Sequence, residues 1–231
     1  SADFPGRVTH HLDEAGIDAA FIQGFCGNIN PMANSPFWGS GTESDIDRYG
    51  SHICERVTAL LRVANPVPLT GESFDGRCYR VSLPLDVSHS PESHVAKLTN
   101  AYASFGEDRL NRFITDWRQD WDELCERNPE DRIIEVPVQI LTIGTVRFAC
   151  VGAEVFSTIG NRLKEKFDDV VAVGYANGVV GYVPDSAAFE RPTDYAAYLA
   201  PHFFAPAPFT PDAPDILTNA LLQYLDKEKA Q

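Results

Sequence analysis

The chain has 231 residues, a length that suits one large domain or two small ones with a sizeable buried core. Apolar residues make up 44% and charged residues 23%, a composition that excludes a disordered chain, a coiled coil and a collagen. The 33 acidic and 19 basic residues give a net charge of −14, and no basic patch offsets it, so nucleic acid is excluded as a partner.

The cysteines indicate the cellular compartment. There are five of them, without C-x-x-C spacing, and an odd number cannot pair fully within one chain. We therefore expect free thiols in a cytoplasmic protein. No signal peptide is visible, but the chain begins at Ser1 rather than Met, which leaves a secreted or periplasmic protein open. No apolar stretch reaches the ~20 residues of a membrane helix, so no transmembrane segment is expected.

The N-terminal part predicts two helices and a strand. A proline near the start and apolar residues four apart predict a helix over residues 4–14. The short apolar run 19–25 predicts a buried strand that ends in the loop 27–31. Thr42 followed by Asp45 forms a capping-box pattern, which predicts a helix from there to about residue 63.

The middle of the chain predicts a sheet with helices. Residues 78–85 and 145–151 read as strands, and 92–126 as one or two helices broken near Gly106. Apolar and polar residues alternate over 134–140, a strand that Pro137 would place at a sheet edge. Glu154 lies between the strand 145–151 and the amphipathic helix that follows it.

The C-terminal part adds two strands, 170–175 and 179–183, around an Asn-Gly turn. Residues 191–214 are rich in proline and aromatic side chains, which predicts a segment without regular structure packed onto the domain. A final amphipathic helix starts at about Pro214. No repeat or domain boundary is evident, and the whole predicts an α/β fold with a mixed sheet flanked by helices.

Two loops carry candidate functional residues, because α/β proteins bind ligands at the carboxyl ends of strands. They are 27–31, with Asn28 and Asn30, and 152–154, with Glu154. The residues alone also allow a structural interpretation of both loops: asparagine is a common turn residue, and a glutamate at a helix start interacts with the helix dipole. None of the six histidines has a metal-binding spacing such as H-E-x-x-H, so a metal site in this chain would be poor in ligands.

Four sequence blocks, in this order, resemble the neutral (non-lysosomal) ceramidase family. They are SADFPG (1–6), FIQGFCGNINP (21–31), VGAEVF (151–156) and ANGVVGYVP (176–184). The resemblance implies that residues 1–231 are the C-terminal portion of a single, larger catalytic domain. It also implies that Ser1 abuts another polypeptide or a proteolytic cut.

The resemblance further implies a zinc-dependent amidase, whose metal is held by two histidines, a glutamate and a tyrosine. Glu154 and Tyr195 are carried over as zinc ligands, and the histidines are expected from an upstream segment or a second chain. Asn30 stands where the family has a serine, and we expect it to face the same cavity as Glu154 and to orient the substrate or its oxyanion. Substrate contacts are expected from three further residues of the matching blocks: Asn28, Asn177 and Tyr182.

Three functions follow as hypotheses. The first is zinc-dependent hydrolysis of an amide by metal-activated water. The second keeps the metal but replaces the lipid by a small polar amide or glycoside, because the serine is lost. The third is a non-catalytic partner subunit that completes another chain's site. The sequence also leaves a homo-oligomer open.

Overall fold

The computed structural model describes residues 3–32, 41–65 and 74–229. The chain divides into two compact units, Ser1–Gln23 with Ile29–Thr70, and Gly24–Asn28 with Gly71–Gln231. No change of composition marks this division in the sequence.

The first unit contains the two predicted helices, α1 (Asp3–Glu14) and α2 (Glu43–Leu61). The capping box at the start of α2 is present in full: the side chain of Thr42 accepts a hydrogen bond from the backbone of Asp45, whose carboxylate accepts one from the backbone of Thr42. Gly50 allows the two helices to approach closely, since a Cβ there would lie 2.5 Å from that of Arg7.

The strand predicted over residues 19–25 is wrong. Residues 17–24 have no regular structure, and Phe21 and Ile22 are 43% and 54% exposed. A strand needs a neighbour to satisfy its backbone hydrogen bonds. No strand in the described ranges pairs with this segment, so its apolar character alone does not make it one.

The second unit contains all six described strands: β1 (Phe74–Pro84), β2 (Ile133–Ile143), β3 (Val146–Val151), β4 (Glu154–Val155), β5 (Val170–Val173) and β6 (Tyr182–Val183). Four of them form a sheet in the order β1-β2-β3-β5, antiparallel except for the parallel pair β3–β5. A second, small sheet pairs β4 with β6 in parallel. The predicted mixed α/β fold is confirmed, although the strand predicted over 179–183 shrinks to β6.

Pro137 lies on β2 and not at a sheet edge, so that prediction is wrong. Strand β2 lies between β1 and β3, but its pairing with β3 begins only at Val138, opposite Val151. Pro137 thus lies just outside the residues of β2 that pair with β3, so its lack of a backbone N–H removes no hydrogen bond between these two strands. Its carbonyl oxygen still accepts a hydrogen bond from the backbone N–H of Gly152 at 2.9 Å.

Helices pack against the sheet and complete the hydrophobic core. They include α3 (Pro91–Tyr102), α4 (Glu107–Glu126) and α5 (Ser157–Lys166). The predicted break at Gly106 is confirmed: this residue has φ +85° and separates a short 3₁₀ turn from α4. The fully buried leucines of the core come from strands and helices alike: Leu83, Leu98, Leu124, Leu163, Leu217, Leu221 and Leu225.

The proline-rich segment packs onto the domain as predicted, but it is not devoid of regular structure. After α6 (Ser186–Phe189) come α7 (Tyr195–Tyr198), which the Asp194 side chain caps, and a 3₁₀ turn at Ala200–Phe203. Pro201 is tolerated because it occupies the first turn, where its missing N–H has no partner to lose. The indole N–H of Trp117 donates to the carbonyl oxygen of Pro206 at 2.8 Å, which fixes the segment to α4.

The chain closes with the predicted helix, α8 (Ala213–Lys229), which packs on β1 through the stacked rings of Tyr224 and Tyr79, 3.9 Å apart. Across residues 3–32, 41–65 and 74–229, every helix is too short or too polar to cross a membrane.

Candidate active site

Two parallel strands bring the candidate residues together. Glu154 follows the carboxyl end of β3, and Tyr175 follows the carboxyl end of β5. Because β3 and β5 are parallel neighbours, both ends lie at the same edge of the sheet. Glu154 then pairs with Tyr182 in the small sheet, so three chain segments meet around one carboxylate.

The loop 24–28 forms another wall of this site. The backbone N–H of Gly27 donates to the carbonyl oxygen of Val155 at 2.9 Å, which holds the loop against β4. The loop thereby brings the Cys26 side chain to Tyr175, whose hydroxyl oxygen lies 3.8 Å from the sulfur. Sequence position alone would not have joined these two residues.

Phenol groups surround the Glu154 carboxylate. The hydroxyl of Tyr175 donates to Glu154 Oε2 at 3.0 Å, and the thiol of Cys26 donates to the hydroxyl of Tyr175. Tyr182 is the partner of Glu154 in the backbone register of the small sheet. We call Glu154, Tyr175, Tyr182 and Tyr195 the tyrosine cluster.

Burial keeps the phenols of the tyrosine cluster protonated. It is the largest cause of the raised pKa of Tyr175 and of Tyr182, and the negative charge of Glu154 raises both further. Burial, followed by the charge of Glu154, also raises the pKa of Tyr195. At neutral pH these phenols are therefore protonated, and the phenol of Tyr175 donates a hydrogen bond to the carboxylate.

The structure brings the predicted ligand Tyr195 to this cluster. Its ring, at the start of α7, stands perpendicular to that of Tyr182 with the centroids 5.8 Å apart. The side chain of Tyr195 is 51% exposed. On its other side it faces Tyr102, whose pKa burial raises to about 12.

Two of the other predicted site residues have structural partners. The side-chain oxygen of Asn28 accepts a hydrogen bond from the backbone N–H of Ser157 at 2.8 Å, at the start of α5. Asn177 is a turn residue with φ +64°, and its amide donates to the side chain of Gln139 at 3.1 Å. Their contacts with substrate stay predictions. Asn30 is an exposed residue of the first unit, and its catalytic role also stays a prediction.

The cluster contains oxygen donors of the kinds that the predicted zinc site requires. Carboxylate oxygen is an ordinary zinc ligand, and phenol oxygens beside it fit the predicted glutamate and tyrosine pair. Within the described ranges, however, no three His, Cys, Asp or Glu side chains are grouped so that they could hold a metal ion. His94 and His202 instead hydrogen-bond to each other, with their nitrogens 3.0 Å apart. The donor set therefore fits zinc in kind but is incomplete in number.

Tyr175 and Cys26 were not predicted as site residues. The available signal was position: Tyr175 ends a predicted strand, and Cys26 lies next to the candidate loop. The sequence does not reveal that these two side chains are in contact, because the contact depends on how the loop packs against β4.

Gly27, in the loop 24–28, is required by packing. A Cβ at Gly27 would lie 2.6 Å from the carbonyl oxygen of Glu154, so Gly27→Ala must push the loop away from β4. We expect a loss of about 1–3 kcal/mol in the free energy of unfolding, measured by urea denaturation. Gly24→Ala is the matched control, because its Cβ would meet nothing nearer than 3.6 Å. Equal losses in the two variants would contradict this account.

No protein-family model and no curated protein matches the chain. Among solved structures, the chain is similar to the neutral ceramidase from Pseudomonas aeruginosa, with 18% sequence identity and a TM-score of 0.56 over 96% of this chain and 40% of that one. It is also similar to a ceramidase complexed with C2, with 17% identity and a TM-score of 0.54 over 96% of this chain and 41% of that one. At these identities the likeness shows a shared fold. The chain spans about 40% of the length of these two proteins.

Proposed function

We propose that this chain is part of a ceramidase-like hydrolase and supplies Glu154 and a phenol oxygen to a zinc site used for amide cleavage. The observation that carries the proposal is the tyrosine cluster, in which a carboxylate and several phenols converge at the carboxyl ends of two parallel strands. The shared fold with two ceramidase structures supports the choice of reaction.

The metal would be held by Glu154 together with Tyr182 or Tyr195. Tyr182 is the nearer along the backbone, because it pairs directly with Glu154 in the small sheet. The pKa of Tyr195 is raised by burial and then by the negative charge of Glu154, which indicates that Tyr195 also lies near this carboxylate. Zinc, when bound, polarises a carbonyl group and lowers the pKa of water to about 7. The histidine ligands would come from polypeptide outside this chain.

The chain's own residues hold and orient the reacting groups. The protonated phenol of Tyr175 donates a hydrogen bond to Glu154 and fixes the direction of its carboxylate. The substrate is an amide, either lipid or small and polar.

Zinc content and hydrolysis test this proposal. The protein is purified with any polypeptide that accompanies it, equilibrated with Zn²⁺, dialysed, and assayed on ceramide and on a small N-acyl amide. We expect Glu154→Gln to lose bound zinc and to reduce hydrolysis to the background rate, because a neutral amide replaces the charged ligand. The exposed Glu165 on α5 provides the matched control, Glu165→Gln, which should retain both.

The outcomes separate the hypotheses. Cleavage of ceramide identifies a lipid amidase, and cleavage of the small amide alone identifies the polar substrate. Zinc binding without cleavage of either amide would favour the partner subunit. Full zinc content in Glu154→Gln would refute the ligand assignment.

A further inference from the structure

We infer that Tyr175 is a positioning residue, which fixes the carboxylate of Glu154 for metal binding without being a ligand itself. This inference rests on the proposed zinc site. It concerns a residue that neither the sequence motifs nor the resemblance had selected, and three features of its surroundings carry it.

The first feature is the backbone. Tyr175 has φ +57°, a left-handed conformation that a bulky side chain rarely adopts. Two hydrogen bonds hold the chain there: the N–H of Tyr175 donates to the carbonyl oxygen of Ala153 at 3.2 Å, and that of Ala176 to Val151 at 3.1 Å. Both acceptors lie in the segment that leads directly into Glu154. The unfavourable backbone conformation is thus maintained by the same segment that carries the carboxylate.

The second feature is the hydroxyl group. It donates to Glu154 Oε2 at 3.0 Å, a hydrogen bond to a charged acceptor, which is stronger than one between neutral groups. The phenol therefore restricts the rotation of the Glu154 side chain. A carboxylate that is fixed before the metal arrives loses less conformational entropy on binding.

The third feature is Cys26. Its thiol donates to the hydroxyl oxygen of Tyr175, with sulfur and oxygen 3.8 Å apart. The phenol proton is thereby left for Glu154, and a chain of hydrogen bonds runs from Cys26 through Tyr175 to the carboxylate. Residues that hydrogen-bond to metal-binding carboxylates commonly contribute 10–100-fold to metal affinity.

Tyr175→Phe removes only the hydroxyl group and tests this role. We expect its affinity for Zn²⁺, measured by competition with a chromophoric chelator, to fall by about 10–100-fold. Tyr198→Phe is the matched control: its hydroxyl donates to the carbonyl oxygen of Phe189 at 2.7 Å, away from Glu154, so zinc affinity should not change. The absorption spectrum of bound Co²⁺ should change in Tyr175→Phe alone.

A second measurement needs no metal and keeps the two proposals separate. Urea denaturation is compared for the unmodified protein, Tyr175→Phe, Glu154→Met and the double variant. If Tyr175 acts through Glu154, Tyr175→Phe lowers the urea midpoint more in the unmodified protein than in the Glu154→Met background, where only the contact with Cys26 is lost.

The results are decisive in either case. Unmodified protein that binds no zinc would refute the zinc site, and the denaturation cycle then tests the contact by itself. The positioning role is overturned by unchanged zinc affinity in Tyr175→Phe, or, in a protein without zinc affinity, by equal midpoint shifts in both backgrounds.

Discussion

Arg147→Ala is expected to lower the free energy of unfolding by about 1.5–3 kcal/mol, because it removes a buried guanidinium and its hydrogen bonds to the half-exposed carboxylate of Asp169 and to a backbone carbonyl. Arg147 lies on β3 and is 4% exposed. Its guanidinium donates to both carboxylate oxygens of Asp169, at 2.6 and 2.8 Å, and to the carbonyl oxygen of Leu225 on α8, at 2.6 Å. One side chain therefore connects the sheet, the start of β5 and the last helix.

Urea denaturation followed by circular dichroism measures this effect. Arg162→Ala is the matched control, since Arg162 pairs with Asp215 at 2.8 Å but both side chains are about half exposed. Exposed pairs contribute about 0–1 kcal/mol, so the control should change little. Similar losses in the two variants would show that the burial of Arg147 does not increase its contribution to the free energy of unfolding.

Acid is expected to destabilise the protein through the buried pair His94 and His202. His202 Nδ1 lies 3.2 Å from the carbonyl oxygen of Leu199, which can only accept, so this nitrogen carries the proton. His202 Nε2 then accepts from His94 Nδ1 at 3.0 Å, and both rings are neutral. Burial is the main reason that the pKa of each ring is lowered, to about 4.

The direction of the effect follows from proton uptake. Between pH 6.5, the ordinary histidine pKa, and about 4, the unfolded chain binds protons that the folded one does not. Stability is therefore full above pH 6.5 and falls as the pH drops towards 4, by about 3 kcal/mol for one histidine.

Two measurements check this prediction. The imidazole NMR signals of both residues should not titrate near pH 6.5, and the slope of the unfolding free energy against pH should become smaller in His202→Gln. The exposed His10 provides the control, His10→Gln, which should keep the slope. Titration of either buried ring near its ordinary pKa would contradict the assignment.

Local patterns predicted the elements whose stabilising contacts are close in sequence. The capping box of α2 and the break at Gly106 involve residues within one turn, and both occur where predicted. The predictions that failed depend on distant partners. No strand in the described part of the chain pairs with the run 19–25, and the place of Pro137 depends on where the pairing of β2 with β3 begins.

The same distinction holds for the site. Glu154 could be selected because it follows a predicted strand and lies in a recognisable block. Tyr175 and Cys26 are 149 positions apart, and no local rule predicts that they meet. The resemblance selected Tyr195 as a ligand and Tyr182 as a substrate contact. No local pattern predicts that Tyr182 lies beside Glu154, because the register that pairs them exists only in the folded sheet.

Gly152, two residues before Glu154, has a packing role that does not depend on what Glu154 does. A Cβ at Gly152 would lie 2.5 Å from the ring of Pro137 and about 3 Å from two carbonyl oxygens of the turn at Ala176 and Gly178. The backbone N–H of Gly152 donates a hydrogen bond to the carbonyl oxygen of Pro137, and the carbonyl oxygen of Gly152 accepts one from the N–H of Val180. A protein of this fold would therefore need glycine here even without the carboxylate of Glu154. In the G-A-E triplet, the glycine is thus a marker of the fold, and the glutamate is a marker only of the proposed reaction.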